Sequence, residues 1–305
     1  MKIKGIIALL LLFCSPLFAQ MEETIRKDFK TNNAPELLIK NSFGDVKFEV
    51  HESSQIEVLI EINVVPQREK DLEKVKDKIR VEIKESGNRV ELMTVNDLDG
   101  INTKELEINY DVKMPINTSL EVHNQFGDVH LQRIAGNLYA RIQHGDFFIG
   151  EASGSRNSVK VQFGELRLER ISDADLEVQH GDFQADLVED SEIELQFSDA
   201  EIDNISGKMK IDVQHSDLNI EVLDKSLTKL EIDAQFSDLN LECERWEEFH
   251  FELEGGFTDF SLTSEMKELI YFESDGINTV EMSINKSVSE KRLVIDANHS
   301  DVDFD

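Results

Sequence analysis

VQFGELRLERISDADLEVQHGDFQADLVEDSEIELQFSDA, residues 161–200, holds one short phrase three times. The phrase is Gln, then Phe or His, then Gly or Ser, then an acidic residue. Read outward, it recurs as NQFGDV at 124–129, IQHGDF at 142–147, VQHSDL at 213–218, AQFSDL at 234–239, GGFTDF at 255–260 and ANHSDV at 297–302, with an earlier outlier, NSFGDV, at 41–46. Its acidic residue returns every 17–21 residues from Asp128 to Asp259. A fixed period of this length marks a stack of similar structural units. Asp301 follows Asp259 after twice that interval, so a degenerate copy is expected inside 270–284.

Apolar residues alternate with polar ones on both sides of the phrase. Leu176, Val178 and His180 precede one turn, and Phe183 and Ala185 follow it. Period-two alternation places alternate side chains on one face of a strand. Gly or Ser followed by Asp suits a tight turn, Gly for its tolerance of positive φ and Asp for its bonds to nearby backbone. A second punctuation, such as IAGN at 134–137 and ISGK at 205–208, separates consecutive phrases. Each period is therefore strand, turn, strand, turn. Such a unit cannot bury its apolar face alone and needs neighbours above and below. These features predict an all-β fold, a parallel β-solenoid of short rungs. An antiparallel meander is the competing arrangement.

Residues 1–19 read as a signal peptide: Lys2 and Lys4 precede a short apolar run, and Ala19 ends it. A lipid anchor at Cys14 is disfavoured by the preceding Phe13. Residues 20–120 form an N-terminal cap. It comprises a hairpin over Leu37–Phe48, a strand at Ile56–Val65, one helix over Gln67–Ile79, a hairpin around Gly87 and a strand ending at Pro115. Residues 121–305 form the repeat solenoid, continuous with the cap. After signal removal one cysteine remains, Cys243, so no internal disulfide can form.

The chain carries 63 acidic against 32 basic residues, a formal net charge of −31. That excess argues against nucleic acid and anionic lipid as partners. No GxSxG, HExxH, CxxC or P-loop motif is present. Paired carboxylates carry no weight in so acidic a chain. No catalytic residue and no cofactor site is expected.

Stacking would align the ring position, Phe126, His144, Phe163, His180, Phe197, His215 and Phe236, in one column about 4.8 Å apart per step. Alternate rungs would hold successive imidazoles too far apart to share one metal ion. The column is read as a stacking spine. The acidic residues Asp128, Asp146, Asp182, Asp199, Asp217 and Asp238 would align likewise. Adjacent carboxylates repel by about 0.9 kcal/mol in water at that spacing, so they must splay, accept amide hydrogen bonds or bind Ca²⁺. The Ca²⁺ alternative concerns Asp146, Asp182, Asp199, Asp217 and Asp238, but the motif lacks the dense glycine of Ca²⁺-binding repeats.

The order of a signal segment, an NSFGDV strand, a strand–helix–strand region and KELEINYDVKMPINTSLEVHNQFGDVHL at 104–131 resembles the toastrack family of secreted bacterial adhesin-like proteins and domains of unknown function. The resemblance implies a right-handed β-solenoid, a cell-envelope setting and no enzyme. The Gln-His and Gln-Phe turns depart from the small polar residues commoner there. Two function classes follow. One is an exported envelope or surface protein that binds an envelope protein or a glycan. The other is a structural, stress-linked scaffold without a ligand. Outward positions are mostly polar, and Trp246, Phe249 and Phe251 are the aromatic cluster to test, with core burial as its expected fate.

Overall fold

A computed structural model describes residues 20–304 apart from 33, 244, 277 and 286–289. The predicted signal segment and Cys14 lie outside the described residues. Each copy of the phrase joins a leading strand to a trailing strand. Leading strands include Asn157–Gln162, Ala174–Gln179, Glu192–Gln196 and Lys208–Gln214. Trailing strands include Leu166–Ser172, Phe183–Glu189, Ala200–Ser206 and Leu218–Leu223. The two do not pair with each other. Leading strands pair in parallel with leading strands, and trailing with trailing. The result is two long sheets, of 14 and 13 strands, that run the length of the molecule. Parallel pairing excludes the meander and makes the chain a parallel β-solenoid.

Register explains the core. Val161 lies beside Val178, Leu195 beside Val213, and Ala234 beside Ala297, all in the leading sheet and all buried. Leu168, Ala185, Ile202 and Ile220 form the matching trailing column. The alternation in sequence thus points every second side chain into the space between the sheets. Each such Val, Leu or Ile contributes roughly 1.5–3 kcal/mol by leaving water, and that is secured only when both neighbouring rungs are present.

Rung order in space departs from chain order at both ends. Glu36–Ser42 and Val46–His51 lie directly beside Ser119–Gln125 and Val129–Ile134. The expected hairpin at 37–48 is therefore a coil of the solenoid, because its two strands belong to different sheets. The chain between them builds the end of the stack. Arg89–Asn96 and Thr103–Pro115 extend the two sheets in parallel. Ile79–Ser86, Gln55–Pro66 and Met21–Lys30 then close them with antiparallel strands. At the other end Arg292–Asn298 inserts between Lys229–Gln235 and His250–Gly256, and Asp301–Phe304 inserts between Asp238–Leu241 and Asp259–Ser261. Thr279–Ile284 runs antiparallel to His250–Gly256, and Ile270–Asp275 pairs with it in turn. The degenerate rung expected within 270–284 is thus an antiparallel cap. Both caps shield the open edge that a stack of parallel strands leaves.

The predicted helix is shorter than its apolar spacing suggested. A 3-10 turn at Glu69–Asp71 leads into Leu72–Lys76, and Ile79 already opens the next strand. Val75 is its buried anchor. A second short helix, Ser264–Glu268, starts on Thr263, whose hydroxyl accepts from the Met266 amide, and belongs to the C-terminal cap.

Cys243 is buried, and burial pushes its thiol up to about 11. A thiolate is the reactive form. The native protein should therefore resist an aromatic disulfide reagent at neutral pH and react fully once denatured. Absorbance release checks this, and rapid labelling of the native protein would contradict it.

A solvent-facing ladder of stacked rings

The ring of every phrase sits on a residue with positive φ: 61° at Phe126, 55° at His144, 59° at Phe163, 56° at His180, 52° at Phe197 and His215, and 55° at Phe236. A bulky residue rarely adopts this conformation. It also reverses the side-chain direction expected from alternation. His180 shares the parity of Leu176 and Val178, which are buried, yet His180 points out to solvent. Phe126, Phe163, Phe197 and Phe236 are 43–55% exposed. The rings therefore stand on the outer turn edge and not in the core.

Along that edge they stack face to face. From Phe43 the ladder passes through Phe126, His144, Phe163, His180, Phe197, His215, Phe236 and His299 to Phe257, with centroids 4.8–5.1 Å apart and planes within 3–19°. The inserted last rung explains an irregularity in the sequence. In chain order the ring position ends Phe236, Phe257, His299; in space it ends Phe236, His299, Phe257. From Phe126 to Phe257 the alternation of Phe and His is therefore unbroken.

Two polar columns flank the rings. On the leading side Gln125, Gln143, Gln162, Gln179 and Gln196 form a chain in which each side-chain amide donates to the next carbonyl, at 2.5–3.2 Å. On the trailing side the Asp128 carboxylate accepts the Asp146 amide at 2.9 Å, Asp146 accepts the Glu165 amide at 2.8 Å, and Asp199 accepts the Asp217 amide at 3.1 Å. Asp182, Asp217 and Asp238 occupy the same column. Among the described residues no three carboxylates, imidazoles or thiols converge on a metal position.

The residue after the ring divides the ladder in two. Gly127, Gly145, Gly164 and Gly181 lie so close to the preceding rung that an added Cβ would sit 1.9–2.1 Å from a glycine carbonyl oxygen. Close approach, more than positive φ, is what requires glycine at the last three. At Ser198, Ser216, Ser237 and Ser300 the position is serine, and each hydroxyl accepts the amide of the preceding rung, as Ser216 does from Ser198 at 2.9 Å and Ser300 from Ser237 at 3.0 Å; on the last rung it is Thr258, whose hydroxyl donates to the Ala297 carbonyl at 2.8 Å. These hydroxyls also donate to the carbonyl two residues back in their own turns.

Sequence reasoning picked out the ring residues but missed their exposure. The cluster it singled out is the less open one: Phe249 and Phe251 are buried, and Trp246 is half-buried against the core.

These features define a β-solenoid repeat protein with an exposed aromatic edge. The chain belongs to the Toastrack family, DUF4097, whose profile matches residues 35–304. Among solved structures it is similar to a "putative adhesin" of Bacteroides fragilis NCTC 9343, at 10% identity over 93% of this chain and 97% of that one, with a TM-score of 0.41. It is also similar to a "putative adhesin" of Parabacteroides merdae ATCC 43184, at 10% identity over 93% and 96%, TM-score 0.36. A third is a Parabacteroides distasonis ATCC 8503 protein named "putative lipid binding protein", at 10% identity over 92% and 96%, TM-score 0.34. No curated protein matches the chain.

Substitutions at two positions test the ladder. His180→Phe should keep both stacks and leave the melting temperature unchanged or higher, whereas His180→Ala should lower it; equal losses would refute stacking as a source of stability. Gly164→Ala should cost roughly 1–3 kcal/mol in denaturant unfolding through its clash with the Gly145 carbonyl.

Proposed function

We propose that this protein is a non-enzymatic, exported scaffold of the cell envelope or cell surface, adhesin-like in action, that binds a partner protein or a glycan along its ring ladder. The observation that carries the reading is the exposure of the stacked rings. Nine steps of 4.8–5.1 Å carry them about 45 Å along one edge. Exposed aromatic rows on soluble proteins mark contact surfaces, and aromatic rings with adjacent amides are the side chains that recognition sites favour.

Energetics bear on the rival reading, a scaffold whose rings serve only stability. Holding a non-glycine residue in the left-handed region costs roughly 1–2 kcal/mol. A stacked aromatic pair returns about 0.5–1.5 kcal/mol beyond burial. The two nearly cancel, and glycine would meet the same turn without the cost. Stability alone thus gives weak reason for a bulky ring at every turn, whereas a binding edge gives a direct one. The family supports an envelope setting. Among the described residues no helix is long and apolar enough to cross a membrane.

Binding to isolated envelope fractions and to a glycan array tests the proposal. The intact protein should bind at least one component, and combined Phe163→Ser, Phe197→Ser and Phe236→Ser should abolish that binding while circular dichroism still reports β structure. A conservative set, Phe163→His, Phe197→His and Phe236→His, keeps the stack and should retain part of the binding. Binding that ignores the loss of the rings would refute the assignment.

A further inference from the structure

The outer face of the leading sheet carries a column whose charge changes sign along its length. Parallel register places Lys40, His123, Arg141 and Lys160 on consecutive rungs. Glu177, Glu194, Asp212, Asp233, Asp296 and Glu254 continue the same line. Not one of these ten is buried. At the change of sign, Lys160 and Glu177 pair within the chain at 2.5 Å.

Like charges directly opposite one another in a sheet are destabilising, and here five successive steps are carboxylate on carboxylate. Lys210 bonds Asp212 at 2.8 Å, but it serves one carboxylate of the six. The Asp233 carboxyl is pushed above its usual range by desolvation and by its neighbours Asp296 and Asp212. At the opposite end, among the described residues, neither Lys40 nor Arg141 has a carboxylate within ion-pair reach. Arg141 instead lies over the Tyr139 ring, 5.3 Å from its centroid. The face thus holds Lys40, Arg141 and Lys160 at one end and six carboxylates at the other, on one straight line; His123 bonds Glu121 at 2.9 Å, and Glu177, Glu194 and Asp296 accept from the amides of Gln179, Gln196 and Asn298.

We propose that two copies of this chain pack leading face to leading face, with their long axes antiparallel, about a two-fold axis that crosses the column between Lys160 and Glu177. A two-fold interface uses the same patch on both copies, and over the eight rungs from Lys40 to Asp233 the sign changes at the middle, so that stretch is self-complementary only in this antiparallel sense. Arg141 of one copy then faces Glu194 of the other, His123 faces Asp212, and Lys40 faces Asp233. The eight rungs that face one another, at about 4.8 Å, and strands of about six residues at about 3.3 Å each give a face near 38 Å by 20 Å. That is about 760 Å² per copy, close to the roughly 800 Å² a stable interface uses per partner.

The net charge of −31 opposes any self-association. At physiological ionic strength, however, charges more than about 8 Å apart are largely screened, while the facing columns lie within that distance. The interface leaves the turn edge uncovered and brings both ring ladders to the same side of the dimer. It is independent of what the ladder binds.

Sedimentation velocity on the purified protein, wild type and charge-reversed, tests the interface. The wild type should sediment as a dimer. Arg141→Glu or Glu194→Arg alone should weaken it by at least about tenfold, and the two together should restore it, because each reversed residue then faces the other. Misfolding does not confound the outcome. Arg141→Glu puts a carboxylate between His123 and Lys160, and Glu194→Arg puts a cation between Glu177 and Asp212, so each reversal improves its own column. A wild type that stays monomeric at every concentration, a dimer indifferent to both reversals, or a double variant as weak as the singles would overturn the proposal. So would a polycation or polyanion that binds this face of a protein that remains monomeric.

Discussion

Strand-to-strand hydrogen bonding at about 4.8 Å is the constraint on which the rest of this molecule depends. In a parallel, in-register stack it places equivalent residues of successive rungs side by side, so every position of the repeat becomes a column of its own kind. Apolar columns gain from this, since Val161, Val178, Leu195 and Val213 seal one another from water. Amide columns gain too, because each Gln both donates and accepts. Ring columns gain because parallel aromatic faces at about 5 Å attract in offset geometry. Carboxylate columns lose, and the molecule treats its two acidic columns differently. The turn carboxylates Asp128, Asp146 and Asp199 turn to backbone amides of the next rung. The carboxylates on the flat outer face turn instead to side chains two residues away on their own strands, Glu177 to Gln179, Glu194 to Gln196, Asp212 to Lys210 and Asp296 to Asn298.

Glycine and serine show the same constraint at the backbone. Where a turn closes on the one before it, no Cβ fits, and Gly145 or Gly164 is required. Where the turn carries a serine, its hydroxyl fills the gap and bonds both its own rung and its neighbour. The change from one solution to the other falls between Gly181 and Ser198, where the Gly181 amide donates to the Ser198 hydroxyl at 3.3 Å.

Much of this was legible in the sequence because periodicity is a local property. The apolar alternation and the spacing of the phrase define strands, turns and a stack. Three things were not legible. The direction of the rings depends on a positive φ at Phe or His, and alternation taken through the turn gives the wrong side for His180. The pairing of distant segments was hidden as well, since nothing local ties Phe43 to Phe126 or Phe236 to His299. The ring alternation held a clue to the second pair, for exchanging the last two rungs restores it. Lastly, the charge column emerges only once the register is known: Lys40 and Asp296 lie far apart in the chain, and no local motif links them.

The inserted last rung also bears on how the molecule is made. A chain emerging from its N-terminal end can stack rungs one upon another as far as Leu241. The next coil, at 250–261, has no seat there, because its neighbour in both sheets is the segment 292–304, which is synthesised after it. Until those residues arrive, Lys229–Gln235 and Asp238–Leu241 present bare sheet edges, and the C-terminal cap has nothing to close. This segment acts as a keystone: it enters between parts already made, and the stack is sealed only in chains that reach Phe304. A chain cut short would carry an open template for pairing with other strands.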